Sequence, residues 1–245
     1  LSDISGTIKK SLENALRRLN RESIDLIQLH TPVTEVRGSF KGSASHNSLG
    51  INDVLGKKGV LEGLSELKQT GITRLVGFTG FGDTTALKKM ARTEEFDSIQ
   101  VYYNVLNPSA GTKVPDIFTA HDYDRIIDDC YAAGMGILNI RSLAAGAITG
   151  NSVGGSTAAL SPGSTSSADE SRAEMLRESL QISASEAVNL SIQYVLENKK
   201  ISGVVVGFSE IDHIYQASEA SGHRLSETQL HKLKGLHDKD FLSHN

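Results

Sequence analysis

The segment Ile24-Asp25-Leu26-Ile27-Gln28-Leu29-His30 constrains the fold more than any other stretch of the 245 residues. It is a short, near-continuously apolar run that stops on a histidine. Before it, Ile4, Ile8, Leu12, Leu16 and Leu19 recur at three- and four-residue spacing, the pattern of one helix face. A helix feeding a strand with little polar alternation is what a parallel sheet covered on both faces requires. Side chains at the carboxyl ends of such strands face the functional rim of an α/β barrel, and His30 falls at such an end.

The alternation continues. The spacing predicts helices over roughly 3–19, 60–71, 84–92, 122–133 and 167–180, the last opened by a capping box of Ser167 and Glu170. Further helices start at Ser183, run briefly over 211–217, and open again at Ser226 with Gln229. Strands are expected over 24–30, 73–79, 98–103, 137–141 and 201–206. The polar stretch 31–58 is too long for an ordinary connection and reads as a lid or mobile insert. Residues 150–167, almost all Gly, Ser, Ala, Thr and Pro, read as a flexible loop within one domain.

That is about five strand–helix units, where a full barrel has eight. A barrel and a doubly wound sheet share this periodicity, but no G-x-G-x-x-G follows an early strand. The expected fold is therefore α/β, an incomplete (β/α)8 barrel of TIM type over 1–245. The chain opens on Leu1 rather than Met, which suggests a missing front end.

Composition excludes some functions. The net charge is −4, so the chain has no basic field for nucleic acid. Cys130 is the single cysteine, which rules out an internal disulfide and suits a reducing, cytoplasmic setting. No apolar run is long enough to span a bilayer. His46, His121, His223, His231, His237 and His244 fall in expected loops or exposed helix faces and show no metal-ligand spacing. Neither a nucleophile elbow nor a P-loop is present.

The remaining chemistry sits at strand ends. Alternation puts His30 and Gln28 on one face of their strand and Asp25 on the other, at its buried start. His30 either serves a carbonyl oxygen or bonds a loop backbone. Gly77-Phe78-Thr79-Gly80 and Val206-Gly207-Phe208-Ser209 both leave an apolar strand through glycine and a hydroxyl. Both suit close approach of a carboxamide or phosphate, and both also suit an ordinary turn. Gln100 lies inside a strand and must be hydrogen-bonded, to an internal network or to a ligand. Tyr102 and Tyr103 read as packing residues. Arg141 at another strand end suits a pyrophosphate or a surface ion pair.

Taken as an ordered set, these stretches resemble the aldo-keto reductase family. They are Ser11–Leu19 leading to Ile24–His30, Gly77–Gly82, Gln100–Pro108, Arg141–Gly150 and Val204–Ala217. The resemblance implies a (β/α)8 barrel with NADP, or possibly NAD, extended across its rim. It implies that His30 is the catalytic histidine orienting a substrate carbonyl. Thr79, Gly80 and Gln100 match the residues on the nicotinamide carboxamide. Arg141, Leu143 and Ala145 match the pyrophosphate loop. Gly207, Ser209, His213 and Gln216 match the adenosine end. Ile140 replaces a tyrosine that stacks under the nicotinamide in many members. The implied substrate is a small aldehyde, ketone, alcohol or sugar. In the family the first three strands supply an aspartate, a proton-donating tyrosine and a lysine. The chain resembles the portion that starts before the fourth strand, so a carboxyl-terminal fragment with little or no activity is expected. The alternative is a non-catalytic nucleotide-binding or interaction protein of the same fold.

Overall fold

The computed structural model describes residues 3–40, 48–150 and 165–242. The chain divides into two compact units, Leu1–Gln100 with Asp129–Gly136 and Val101–Asp128 with Ile137–Asn245.

In the first unit, α1 (Ile4–Leu19) begins where the Asp3 carboxylate accepts the Gly6 N–H at 2.8 Å. Asn20 ends it in the left-handed region at φ 51°. Then follow β1 (Ile24–Leu29), β2 (Val33–Thr34), β3 (Leu49–Gly50), α2 (Ile51–Leu55), α3 (Val60–Gln69), β4 (Thr73–Thr79), α4 (Thr84–Ala91) and the start of β5 (Ser98–Tyr102). Strands β1, β4 and β5 are parallel neighbours in that order, and β2 pairs with β3. Residues Val76 to Thr79 of β4 are buried on both faces, as their apolar run requires. Helices α1 and α3 touch at Gly63, where a Cβ would lie 2.9 Å from the Ser5 Cα.

The second unit holds the end of β5, the start of α5 (Ile126–Ala132) and most of β6 (Gly136–Ile140). It continues with a 3-10 helix (Ala144–Thr149), α6 (Ser166–Leu180), α7 (Ala184–Glu197), β7 (Gly203–Val204), α8 (Ile211–Ser221) and α9 (Glu227–His237). Strands β6 and β7 are parallel, with Leu138 opposite Gly203 and Asn139 opposite Val204. Capping boxes open α7 at Ser183/Glu186 and α9 at Ser226/Gln229. A buried ion pair, Arg172 to Asp240 at 2.7 Å, ties α6 to the end of the chain. Asp240 also accepts from the Thr119 backbone and hydroxyl.

Seven strands in two sheets stand among the described residues. This corrects the expected count of about five of eight units: the set is consistent with a near-complete α/β barrel. The uncounted strands, β2 and β3, have two residues each, too few to show a period. They lie in 31–58, the stretch expected to be a lid or insert; its residues 41–47 lie outside the described residues. Most of the loop expected over 150–167 is likewise outside them.

Smaller differences have local causes. Helix α5 starts at Ile126 rather than near 122, because Asp124 and Arg125 take left-handed φ values of 43° and 54°. Thr165, not Ser167, caps α6. Helix α8 runs on to Ser221. Asp25 is exposed beside Arg74, not buried. His237 is covered, with Nε2 2.8 Å from the Val105 carbonyl, and burial lowers its pKa. Among the described residues no helix is long and apolar enough to cross a membrane.

Candidate functional site

In the first unit the strand register assembles a polar row. Leu29 of β1 lies opposite Phe78 of β4, and Thr79 of β4 lies opposite Gln100 of β5. His30 is the next residue beyond Leu29, so it leaves β1 beside Thr79. The carboxyl ends of three parallel strands thus carry His30, Thr79 and Gln100 in sequence across the sheet. The Thr79 hydroxyl donates to Gln100 Oε1 at 3.0 Å, and the Gly80 N–H donates to the Gln100 carbonyl at 2.7 Å. That pairing occupies the acceptor of the Gln100 carboxamide and leaves its two Nε2 donors to be matched.

Glycines set the spacing of this row. A Cβ on Gly80 would sit 3.0 Å from the Gln100 carbonyl oxygen, tighter than side chains normally approach. Gly77 has no side chain where Gln28 Nε2 reaches Ser98 Oγ at 3.1 Å; a Cβ there would lie 2.2 Å from that oxygen. His30 is exposed and meets Phe81 edge-on, with ring centroids 6.4 Å apart. Phe81 packs in turn on buried Phe40 at 4.9 Å.

The second unit carries the other candidates. Arg141 follows β6 with φ 61°, and Ala144 and Ala145 have φ 47° and 57°. Three non-glycine residues in the left-handed region within five positions is a concentration of backbone strain, which only surrounding structure can maintain. The support is visible. Buried Asn104 donates from Nδ2 to the Arg141 carbonyl at 2.9 Å, while its Oδ1 accepts the Leu106 and Asn107 N–H groups. Buried Asn139, on β6, donates to the Tyr103 carbonyl at 2.5 Å, and its Oδ1 has no hydrogen-bond partner among the described residues. Arg141, Leu143 and Ala145 are half-buried.

Asp169, in the first turn of α6, is in the electrostatic reach of Arg141 and Arg172. Burial pushes its carboxyl up to about 6, against the pull of the two cations. Burial and the nearby Asp169 raise the Tyr102 phenol to about 12. Tyr102 stacks on Tyr123 at 5.6 Å and Tyr103 on Tyr194 at 5.4 Å, so both are packing groups.

Gly207, Ser209 and His213 are exposed around the start of α8, with Ser209 Oγ 3.4 Å from His213 Nδ1. Gln216 Nε2 donates to the Ser185 carbonyl and hydroxyl, both at 3.0 Å, which holds α8 against the start of α7. Asn104, Asn139 and Asp169 escape a reading of the sequence. The one signal was an asparagine, Asn139, inside an otherwise apolar strand.

Comparison with known proteins gives the family and the fold. The model of the aldo/keto reductase family matches residues 2–238. The chain is similar to the aldo-keto reductase AKR11C1 from Bacillus halodurans. Against its apo form the identity is 20% and the TM-score 0.65, over 95% of this chain and 69% of that one. The holo form gives 20% and 0.67, over 96% and 65%. The glycerol dehydrogenase AKR11B4 from Gluconobacter oxydans gives 16% and 0.63, over 99% and 67%. No curated protein matches. At these identities the structures speak for the fold, and the chain spans about two thirds of their length. The family match corrects the expectation of a carboxyl-terminal part lacking the first three strands: the family domain aligns along the chain as a whole.

Proposed function

The chain belongs to the aldo/keto reductase family, α/β-barrel oxidoreductases that bind NAD(P)H, and from that premise we propose that it interconverts a small carbonyl compound and its alcohol. Sugars and sugar-derived aldehydes are included in that class. The observation that carries the reading is the row His30–Thr79–Gln100 at the carboxyl ends of adjacent parallel strands.

The residues present fit a nicotinamide cofactor. Gln100, its Oε1 fixed by Thr79, offers amide donors complementary to a carboxamide. Gly80 keeps side-chain bulk away from it. In the second unit Arg141, with Leu143 and Ala145 in its strained turn, supplies a fixed cation and close backbone approach suited to a pyrophosphate. Gly207, Ser209, His213 and Gln216 would serve the adenosine end. When bound, the cofactor supplies or accepts a hydride. His30 donates a hydrogen bond to the carbonyl oxygen and so favours the charge that develops there. Phe81 limits the swing of the His30 ring. NADP is the proposed cofactor. NAD is the second reading, because Gly207 to Gln216 contains no Lys or Arg for a 2′-phosphate.

A fluorescence titration with NADPH and NADH tests this. Saturable binding is expected, weakened about tenfold or more by Arg141→Ala, the order of a lost charge-assisted hydrogen bond. His30→Ala should leave binding unchanged and remove turnover of aldehydes. If neither nucleotide binds, the proposed function fails.

A further inference from the structure

Beneath the row His30–Thr79–Gln100 lies a second one. Gln28 of β1 pairs with Gly77 of β4, and Gly77 pairs with Ser98 of β5. Residues two apart on a strand share a face, so Gln28, Gly77 and Ser98 lie on the face of His30, Thr79 and Gln100, one layer deeper. Gln28 Nε2 donates to Ser98 Oγ at 3.1 Å. Neighbouring strands lie about 4.8 Å apart, so this bond links backbones about 10 Å apart. It passes over Gly77, where a Cβ would collide with Ser98 Oγ. Half-buried Gln28 thus ties β1 to a strand that is not its ladder partner, and Ser98 at the far end is buried.

We propose that Gln28 is a positioning residue, whose bond to Ser98 fixes where His30 stands beside Thr79 and Gln100. This rests on the reading of His30 as the group that meets the substrate carbonyl. The backbone ladder sets the register of β1 on β4 from Ile24 to Leu29. It leaves the twist loose, since strand pairs range over about 10–35°. His30 lies two residues beyond Gln28, about 6.6 Å along the strand. A change in twist of about 10°, pivoting at Gln28, carries it sideways by about 1 Å. A displacement of that size costs about 10²-fold in a rate that depends on near-attack geometry. The His30 ring is exposed and meets Phe81 edge-on, so its place follows the end of β1. Thr79 and Gln100 hold each other at 3.0 Å, so the nicotinamide side of the row does not depend on Gln28.

The test compares Gln28→Leu, Ser98→Ala and the double variant. Each single change removes the bond, and Ser98→Ala does so from β5, two strands away from His30. The first readout needs no cofactor. It is the pair of His30 imidazole proton resonances, assigned by their loss in His30→Ala, which sense the Phe81 ring. Both single variants should move them in the same direction, and the double variant no further than the larger single. The second readout is kinetic. In each variant kcat for aldehyde reduction should fall about tenfold or more, while NADPH affinity stays within about twofold of native. A tie serving stability alone would lower the urea midpoint and leave the His30 resonances in place. Unmoved resonances in Ser98→Ala, additive shifts in the double variant, or NADPH affinity falling in step with kcat overturns the proposal. Ser98→Ala decides alone if Gln28→Leu does not fold. If the native chain binds neither nucleotide, the proposed function fails, and the resonances still decide whether Gln28 positions His30.

Discussion

Replacing Asn104 by alanine tests whether the Arg141 turn is held from outside its own sequence. The side chain is fully buried and makes three bonds to backbone groups: Arg141 C=O at 2.9 Å, Leu106 N–H at 3.0 Å and Asn107 N–H at 2.9 Å. Alanine leaves all three without this partner. A buried orphan costs about 1–3 kcal/mol. The Arg141 carbonyl keeps a second donor, the Ala144 N–H at 2.9 Å, so its loss is at the low end. Leu106 is fully buried and Asn107 nearly so, and their N–H groups dominate. Asn107 N–H retains no alternative among its own side-chain atoms, since Asn107 Oδ1 accepts from Ser109. A total of roughly 3 kcal/mol follows. With a urea slope of about 2–3 kcal/mol per molar, the unfolding midpoint falls by about 1 M. Asn104→Asp keeps both N–H bonds but sets an oxygen against the Arg141 carbonyl. It should cost less stability than alanine while loosening the turn. Circular dichroism in urea reads the first effect, and NADPH titration the second. A midpoint for Asn104→Ala within about 0.3 M of the native protein would refute the reasoning.

Three further outcomes follow from single sites. Gly82 has φ 136°, and a Cβ there would lie 1.8 Å from the Val33 carbonyl oxygen, so Gly82→Ala should lose about 3 kcal/mol or more in the same urea assay. The Asp169 carboxyl is raised to about 6 in the folded chain from an ordinary 3.8. The folded state therefore binds the extra proton between those values, and this site's contribution to stability falls as pH rises from about 4 through 6 and then levels off. The difference in stability between Asp169→Asn and the native chain, measured from pH 4 to 8, should show that slope; a flat difference would count against it. Arg172→Met removes the cation beside the buried Asp240 carboxylate and leaves it the Thr119 backbone and hydroxyl donors. Breaking one side of a buried pair costs about 3–5 kcal/mol, which thermal unfolding would register as a large fall in Tm.

Much of the fold is legible because its signals are local. Ser183/Glu186 and Ser226/Gln229 are reciprocal caps within four residues, and both form. The apolar stretch Val76–Thr79 is buried as its composition demands. Signals fail where the deciding partner is distant or the element is too short. Val33–Thr34 and Leu49–Gly50 pair with each other, Val33 also bridges to Gly82 far along the chain, and two residues carry no period. Asp25 looked buried because an apolar run implies cover on both faces; it says nothing about the edge, where β1 stands. His237 sits on a polar helix and looked exposed. Its cover comes from Tyr194 and the Val105 carbonyl, both distant in sequence, and from Phe241 four residues on.

At the candidate site the division is sharper. Gln100 stands out in the sequence because a glutamine in a buried strand breaks a local rule and demands a partner. The demand does not name Thr79, which the parallel register supplies. The turn after β6 shows the opposite case. Arg141-Ser142-Leu143-Ala144-Ala145-Gly146 carries no Gly or Asn at its left-handed positions 141, 144 and 145, so its sequence announces no turn of this kind. The conformation is imposed by Asn104, which follows a strand end where asparagine is ordinary and attracts no notice. Residues that violate a local rule can be read from sequence. Residues that enforce such a violation elsewhere obey every local rule themselves, and only the hydrogen bond from Asn104 to the Arg141 carbonyl reveals what they do.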